Sequence, residues 1–279
     1  MSSPIILAIA DGVAEITLNR PDKRNALNHA LRGDILNALR AHDADDDVHV
    51  QIIRGAGKCF SSGYELGDGN AGLEMPFYTP GGDGQWPRHV TEGWMSIWDL
   101  AKPVIAQVHG YCLAGGSELA TGCDLIYVAD DTKMGYPAVR FGTPDMHFHA
   151  WFLGMRKAME MMITGDSITG AQAVELGWAN DVFPLDELDA AVVAVAERIA
   201  QIEPDLVQIN KRVVHRQMEV MGMRQGIRAG TELCALGVHT NAMKKFLAKV
   251  HADGLTSALS DRDEKFGDYR SVEDHSPTV

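Results

Sequence analysis

Short apolar segments alternate with stretches of helical spacing along the first half of the chain. Ile5 to Ile9 and Val13 to Leu18 predict two strands, and the turn residues Asp11 and Gly12 between them favour a β-hairpin. Asn28 is a suitable N-cap for the amphipathic helix that follows. Further apolar segments predict strands at 48–54, 103–108 and 124–129.

The segment from Asp124 to Ala129 is almost wholly apolar, which is typical of a strand buried on both faces. From about Ala150 onward the spacing is mainly helical, apart from a short strand at 180–183. The pattern predicts an α/β core over residues 1–200 and a helical region with a polar tail over 201–279. The helices predicted in this half are 152–163, 169–176, 185–202, 204–221 and 224–250.

Residues 67–87 interrupt the pattern with a segment rich in glycine and proline. Long loops in compact domains often serve as lids or binding segments. A disordered insertion is the alternative, although the aromatic residues Phe77, Tyr78 and Trp86 favour a partly packed lid.

Composition narrows the class of protein. With 279 residues, 46% of them apolar and 23% charged, the chain is long enough for one large globular domain. Its net charge of −13 argues against a nucleic-acid surface, which requires a basic face, but allows local cations to bind an anionic small molecule. No signal peptide or membrane span is expected. Four cysteines without a C-x-x-C pair favour structural thiols in the cytoplasm over disulfides or zinc.

A glycine-rich turn after a buried strand is the first candidate for chemistry. The strand from Val104 to Val108 leads to Ala114, Gly115 and Gly116, and Glu118 follows in the first turn of a predicted helix. The first N–H groups of a helix lack internal partners and, with the helix dipole, form an anion site. Such a donor stabilises an oxyanion by about 3–4 kcal/mol. Tight strand–helix packing explains this segment equally well when it is taken alone.

A second segment of the same type occurs about fifty residues earlier. Gly63 and Tyr64 also follow a predicted strand, and the N–H of Tyr64 is a candidate donor opposite Gly115. A simple turn with small residues inside is the alternative. The two segments together favour a two-donor oxyanion hole over a chance arrangement.

Four motifs stand in a characteristic order and spacing along the chain. They are Asn19-Arg20-Pro21-Asp22-Lys23-Arg24-Asn25-Ala26-Leu27-Asn28, Phe60-Ser61-Ser62-Gly63, Gly110-Tyr111-Cys112-Leu113-Ala114-Gly115-Gly116-Ser117-Glu118-Leu119 and Cys123-Asp124-Leu125-Ile126. Together they resemble the crotonase (enoyl-CoA hydratase/isomerase) superfamily, over about residues 5–270. Later segments at 162–166 and 171–177 resemble the stretch that follows its active site. The motifs identify the superfamily much more specifically than the reaction.

The resemblance implies a crotonase-like spiral of ββα units, with a helical C-terminal region that assembles the chain into a homotrimer or a dimer of trimers. It implies an acyl-CoA substrate, with coenzyme A as part of the substrate and no separate cofactor. The thioester carbonyl would lie between the N–H groups of Tyr64 and Gly115. The residues implied to hold coenzyme A are Lys23, Arg24, Ala26, Leu27 and Gly63. From the residues alone, a solvated loop is the favoured interpretation of Lys23 and Arg24.

The sequence departs from the family pattern where a second catalytic glutamate is expected, because Ala138 stands there. Ala138 cannot exchange a proton, so the expected partner of Glu118 is missing. Asp145 is the nearest replacement, with the N-cap of the following helix as its alternative role. His147 and His149 titrate near neutral pH, although hydrogen-bonded wall residues are the simpler interpretation for both.

Asp145, His147 and His149 also have the spacing of metal ligands on one face of a strand. A metal would need further ligands and no other cluster stands out, so no metal site is predicted. Tyr64 is a large side chain for a donor position. There it would narrow the acyl pocket or place a hydroxyl in it.

Three functions remain open from the sequence. The first is a lyase of the kind found in fatty acid metabolism, which hydrates a 2-enoyl-CoA through an oxyanion-stabilised enolate with Glu118 as general acid and base. The second is an acyl-CoA isomerase or hydrolase, or an enzyme for a β-diketone-like substrate, that uses Asp145 or His147 in place of the missing glutamate. The third is a non-catalytic acyl-CoA binder, which the presence of Glu118 disfavours. The sequence does not specify the acyl group.

Overall fold

The chain folds into two sheets flanked by helices, in a computed structural model that describes residues 3–267. The strands are β1 (Ile5–Ala10), β2 (Val13–Leu18), β3 (Val50–Gly55), β4 (Val104–Val108), β5 (Tyr111–Leu113), β6 (Leu125–Ala129), β7 (Lys133–Gly135), β8 (Ile168–Thr169) and β9 (Asp181–Phe183). The larger sheet has the order β1-β2-β3-β4-β6-β9, in which only the first pair is antiparallel among the described residues. The smaller sheet has the order β5-β7-β8. The predicted α/β fold class is confirmed.

Helices cover both faces of the larger sheet and make up the C-terminal part of the described chain. They are α1 (His29–Ala44), α2 (Gln85–Met95), α3 (Gly115–Gly122), α4 (His149–Thr164), α5 (Gly170–Glu175), α6 (Leu188–Ala200), α7 (Pro204–Val220), α8 (Met223–Gly237), α9 (Asn241–Asp253) and α10 (Leu255–Glu264). Short 3-10 segments lie at Pro21–Lys23, Gly67–Asn70, Ser96–Asp99 and Pro137–Arg140.

Alternation along β3 sends neighbouring side chains into two different cores. Ile53 packs in the main core with Ile35 of α1, whereas Ile52 packs on the opposite face with Val192 of α6. All four are almost completely buried. Parallel strands covered on both faces must be apolar at nearly every position, which is why β3 and β4 stand out in the sequence.

The first elements form for the reasons that the sequence indicates. Asp11 and Gly12 have φ of 50° and 78°, the positive values that a tight two-residue hairpin turn requires. The Asn28 side chain accepts a hydrogen bond from the N–H of Leu31 at 2.9 Å, so α1 begins at its predicted cap. The other predicted strands are confirmed, with ends that shift by one or two residues.

The helical predictions were partly wrong in their bounds. The continuous helix predicted over 224–250 is divided into α8 and α9, because Thr240 forms a new N-cap by accepting from the N–H of Met243. The helix predicted over 185–202 begins only at Leu188, and the loop predicted over 67–87 ends where α2 begins at Gln85. The sequence did not predict α10.

The predicted boundary near residue 200 lies close to the start of α7 at Pro204, and the division into two regions stays a prediction. The predicted polar tail over 270–279 lies outside the described residues. Within residues 3–267, the helices are all too short or too polar to cross a bilayer.

All four cysteines are free thiols, and all are buried. Burial raises the pKa of the Cys59 thiol to about 11 and that of Cys234 to about 12. Cys112 and Cys123 have pKa values raised by burial in the same direction. The thiols therefore stay protonated near neutral pH in the folded chain.

Candidate active site

The two glycine-containing turns predicted from the sequence lie side by side. Ser61 joins them, since its N–H donates to the carbonyl of Tyr111 and its carbonyl accepts from the N–H of Leu113, both at 3.0 Å. The backbones approach so closely that a Cβ at Gly116 would lie 2.7 Å from the carbonyl oxygen of Ser61. Gly63 has a φ of 105°, and a Cβ there would lie 2.9 Å from the carbonyl oxygen of Leu113. Both contacts require glycine.

Two backbone N–H groups at this junction have no protein acceptor within the described residues. Gly115 is the first residue of α3, where helix N–H groups lack internal acceptors. Tyr64 forms a bridge with Leu27 in which only the residues on either side of Tyr64 bond to Leu27, so its own N–H points away. Ala114 enters the turn with a φ of 48°, a strained conformation for a residue with a Cβ. The predicted pair of donors is thus brought together; its role as an oxyanion hole stays a prediction.

Glu118 is completely buried in the first turn of α3. Its Oε1 accepts from the backbone N–H groups of Asp145 and Met146, at 3.0 and 2.8 Å. Its Oε2 accepts from the hydroxyl of Tyr64, which itself accepts from Trp94 Nε1 at 2.9 Å. The carboxyl group is thereby fixed in one orientation.

Asp145 lies beside Glu118 and lines the adjoining cavity. Its Oδ2 accepts from Trp86 Nε1 at 3.1 Å, and its Oδ1 accepts from the thiol of Cys234 at 3.6 Å. The hydroxyls of Thr91 and Thr231 both donate to its backbone carbonyl, at 2.9 Å. The alternative role of Asp145 as an N-cap was wrong, because α4 begins four residues later and its cap position is Phe148.

Burial dominates the electrostatics of this carboxyl pair. Burial and the nearby charge of Asp145 raise the pKa of Glu118 to about 8, although hydrogen bonds from Tyr64, Met146 and Tyr136 oppose the rise. Burial also raises the pKa of Asp145, to about 6, against the hydrogen bonds from Trp86 and Cys234. Both carboxyl groups therefore keep their protons to higher pH than free carboxyl groups do, and they titrate together as a pair.

The two histidines lie on the far side of this segment. His147 packs against Gly230 of α8, outside the cavity wall formed by the described residues, and burial lowers its pKa. His149 is the first residue of α4 and stacks on Phe148 at 4.1 Å, with its pKa lowered by burial to about 3. Residues 145–149 do not form the strand that would put three ligands on one face, and the described residues contain no cluster of metal-binding side chains. The catalytic role predicted for His147 remains untested.

A cavity of about 760 Å³ adjoins Asp145 of this carboxyl pair. Arg24 and Ala26, two of the residues predicted to hold coenzyme A, line it. Lys23 is exposed, whereas Leu27 and Gly63 are buried. None of these three belongs to the cavity wall formed by the described residues. The wall also includes His29 of α1, the 111–114 segment, the 62–87 and 136–145 segments, and residues from α8 to α10.

Tyr64 separates the cavity from Glu118. A Cβ at Gly115 would lie 2.6 Å from the Tyr64 ring, so the ring lies directly against this glycine. Tyr64 and Asp145 line the cavity, whereas Glu118 lies behind them within the described residues. Trp86 contacts the Tyr64 ring edge-on, with centroids 5.1 Å apart.

Sequence reasoning did not assign site roles to Trp86, Trp94, Tyr136 and Cys234. Trp94 belongs to an apolar stripe and Cys234 to a helix, so neither stands out as a hydrogen-bond donor to a buried polar group. The signal in the sequence that could have found them is the large side chain of Tyr64 at a donor position. A tyrosine at a small-residue position must find room and a hydrogen-bond partner nearby.

Comparison with known proteins agrees with this geometry. The family profile described as enoyl-CoA hydratase/isomerase matches residues 8–266. An enoyl-CoA hydratase/isomerase from Xanthobacter autotrophicus is 34% identical with a TM-score of 0.86, covering 95% of this chain and 99% of that one. An enoyl-CoA hydratase from Mycobacterium smegmatis is 30% identical with a TM-score of 0.87, covering 96% and 95%.

A curated relative extends the match to a protein with a named substrate. The 2,3-dehydroadipyl-CoA hydratase of Escherichia coli is 30% identical over 254 residues, which cover 88% of this chain and 96% of that protein. Because motifs, fold and sequence similarity extend over nearly the whole chain, this protein belongs to the enoyl-CoA hydratase/isomerase family and has the crotonase fold.

Proposed function

We propose that this protein hydrates a 2-enoyl-CoA, with Asp145 and Glu118 as the two acid/base groups. The observation that supports the proposal is the buried hydrogen bond from the backbone N–H of Asp145 to Glu118, which brings a second buried carboxyl group next to Glu118 at the cavity wall. The free N–H groups of Tyr64 and Gly115 are close by and suit a thioester oxygen. The names of the relatives support the same reaction.

In the proposed hydration, each carboxyl group transfers one proton. The N–H groups of Tyr64 and Gly115 stabilise the enolate oxygen as water adds to the β-carbon. Ionised Asp145 takes a proton from that water, and protonated Glu118 supplies a proton to the α-carbon. The proton then returns from Asp145 to Glu118, which restores the pair.

The hydroxyl of Tyr64 relays the proton of Glu118 in this proposal. With Glu118 ionised, Tyr64 donates to Oε2. With Glu118 protonated, the carboxyl group donates to the Tyr64 oxygen and the phenolic hydrogen is released toward the substrate. The relay fits the position of Tyr64 between Glu118 and the cavity.

The pKa values of the pair predict a bell-shaped dependence of kcat/KM on pH. Activity should rise through about pH 6 as Asp145 ionises, and fall through about pH 8 as Glu118 loses its proton. Initial rates with a 2-enoyl-CoA across this range measure both limbs. A profile with a single limb would remove one carboxyl group from the mechanism.

Replacement of either carboxyl group separates catalysis from binding. Glu118→Gln and Asp145→Asn should each lower kcat by about 100-fold or more, because each loses a proton-transfer group, with little change in the affinity for coenzyme A. Glu232→Gln is the matched control, since Glu232 is exposed on α8. Wild-type rates in Asp145→Asn would exclude Asp145 as the second acid/base.

A double-bond isomerase is the second candidate. It is favoured because Asp145 alone of the pair lines the cavity, and one base suffices to move a proton from one carbon of the acyl group to another. Reaction of 2-enoyl- and 3-enoyl-CoA in ¹⁸O-water distinguishes the two. A hydroxyacyl product labelled with ¹⁸O supports hydration, whereas an unlabelled shifted enoyl product supports isomerisation. Free acid and coenzyme A would indicate a hydrolase, and unchanged substrate that still binds would indicate a binder.

The proposal also includes the oligomeric state, the cofactor requirement and the location of the enzyme. Exposed apolar side chains on α7 to α9, including Val214, Leu236 and Leu247, support assembly into a trimer or a dimer of trimers. The reaction requires no cofactor besides the coenzyme A of the substrate. The cytoplasm is the proposed location, in keeping with four free thiols.

A further inference from the structure

Three nitrogen-rich side chains form a cluster behind the inner wall of the cavity. His29 and Arg32 lie one turn apart on α1, and His89 faces them from α2. We call these three residues the basic cluster. Arg32 and His89 are completely buried, and His29 is partly buried and lines the cavity.

The basic cluster is short of hydrogen-bond acceptors. Arg32 Nε and Nη1, His29 Nδ1 and His89 Nε2 are buried without a partner within the described residues. These are four of the eleven such atoms in that part of the chain, so the unsatisfied capacity is concentrated at one place. Buried polar groups are almost always hydrogen-bonded to protein, water or ligand, so such a concentration makes the basic cluster a candidate site for a hydrogen-bonding group.

The neighbouring carboxyl groups do not supply these acceptors. Glu118 accepts from Tyr64 and from backbone N–H groups, and Asp145 accepts from Trp86 and Cys234. Arg32 instead lies over aromatic faces, 5.0 Å from the Trp86 ring centroid and 5.7 Å from that of Trp94. These contacts attract the cation but leave its N–H groups unsatisfied.

The cluster adjoins the cavity through one layer of side chains. Trp86 and Tyr64, which line the cavity, both lie against Arg32. His29 and Trp86 both line the cavity, and their ring centroids are 5.7 Å apart. Trp86 is in the first turn of α2, directly after Gly82 and Gly84 with φ of 105° and 77°. Glycines in this conformation allow the preceding backbone to adjust to a ligand.

We propose that the basic cluster binds a carboxylate at the far end of the acyl group, so that the substrate is an acyl-CoA with a second acidic function. This inference rests on the proposed function for the position of the thioester. A carboxylate matches the fork of N–H groups on Arg32, and its remaining lone pairs match single N–H groups from His29 and His89. A purely hydrocarbon acyl group would leave these donors unpaired and is selected against.

Two substrates that differ at one end test the proposal. One is a 2-enoyl-CoA ending in a free carboxylate, and the other is its methyl ester, each assayed over a series of chain lengths. At the best length, the acid should exceed the ester in kcat/KM by about 100-fold or more, because a site built for hydrogen bonds rejects a ligand that cannot satisfy them. Equal values for acid and ester at every length would overturn the proposal.

Substitution of Arg32 locates the preference. Arg32→Gln should abolish the preference for the acid, and Arg32→Lys should restore part of it, because a lysine keeps the charge without the fork. The charge of Arg32 also lowers the pKa of Asp145, so Arg32→Gln should change the turnover of both substrates, and the ratio of their kcat/KM values is the readout. Arg40→Gln is the control, since Arg40 is exposed on the same helix. A preference that survives Arg32→Gln in a folded protein would place the carboxylate elsewhere and contradict the assignment.

Binding measurements separate this inference from the reaction. Calorimetry with the saturated acyl-CoA acid and its methyl ester compares affinities without turnover, and should favour the acid by a similar factor. If neither enoyl substrate is hydrated but the acid still binds more tightly, the reaction is wrong and the basic cluster stands. If both are hydrated at equal rates and bind equally, the reaction stands and the cluster holds only buried water.

Discussion

Tyr64 serves the candidate site at both of its ends. Its N–H faces the same space as that of Gly115, while its hydroxyl reaches Glu118 and accepts from Trp94. A small residue at this position would offer the backbone donor alone. The side chain therefore adds a positioning group that the family motif does not require.

Tyr64→Phe isolates that group. The hydrogen bond from Tyr64 lowers the pKa of Glu118, so its loss should move the alkaline limb of the pH profile to higher pH. Loss of the relay should also lower kcat by about 10- to 100-fold. The unpaired Trp94 N–H should cost about 1–3 kcal/mol of unfolding free energy, measured by denaturant titration. An unchanged profile with a lower stability would make the hydroxyl purely structural.

Arg32 was not predicted as a site residue, although the sequence contains a signal for its burial. Its spacing from Leu36 and Leu39 places it on the apolar face of α1, so the pattern already indicates a buried guanidinium. What the pattern lacks is the partner. His89 and Trp86 come from α2, more than fifty positions later, and only the folded chain brings them to Arg32.

At the scale of elements, the turn between β3 and α2 depends on Gly63. Its φ is 105°, a value that a residue with a side chain adopts only with strain. A Cβ at this position would also lie 2.9 Å from the carbonyl oxygen of Leu113. The missing side chain therefore allows the two donor-bearing turns to lie close together.

Gly63→Ala should therefore cost more than an ordinary glycine replacement. We expect a loss of about 2–4 kcal/mol in unfolding free energy and at least about a tenfold loss in kcat, as the Tyr64 and Gly115 N–H groups separate. Gly222→Ala is the control, because Gly222 has a φ of 98° with open space around it. That variant should lose only about 1 kcal/mol and retain its activity. Equal losses in thermal unfolding would show that backbone strain alone matters.

Regular elements were predictable where one local signal decided them. The hairpin at Asp11, the cap at Asn28 and the strand–helix turn at Gly115 each rest on a few neighbouring residues. The break between α8 and α9 was missed because the apolar spacing continues through it, and the new cap at Thr240 is a weak signal. The position of Asp145 was even less accessible, since it depends on tertiary hydrogen bonds from Trp86 and Cys234.

At the scale of the molecule, the last helices close the cavity. Leu255 and Leu259 of α10 line it, and Asp263 anchors this helix to the 137–142 segment. Asp263 is almost completely buried and pairs with Arg140 at 3.3 Å and with Arg262 at 2.6 Å. The same segment carries Ala138, which also lines the cavity, so the anchor links the C-terminal helices to the cavity wall.

Asp263→Asn should loosen this closure. Removing the charge from a buried pair costs about 3–5 kcal/mol locally, so α10 should open and KM should rise by about tenfold with a smaller effect on kcat. Asp261→Asn provides the comparison, because Asp261 pairs with Lys249 on the surface, where solvent screens the interaction. Hydrogen exchange along α10 together with steady-state kinetics measures both effects, and an equal KM in the two variants would refute the anchoring role.

The four buried thiols allow the opening of different parts of this chain to be measured by chemical labelling. A maleimide or disulfide reagent reaches them only when the surrounding packing opens, so the rate of labelling records how often each region opens. Cys123 reports on the interior beneath α3, whereas Cys234 lies against Asp145 and reports on the cavity wall. A ligand that fills the cavity should slow modification of Cys234 selectively. The labelling rate of Cys234 would then report whether the cavity is occupied.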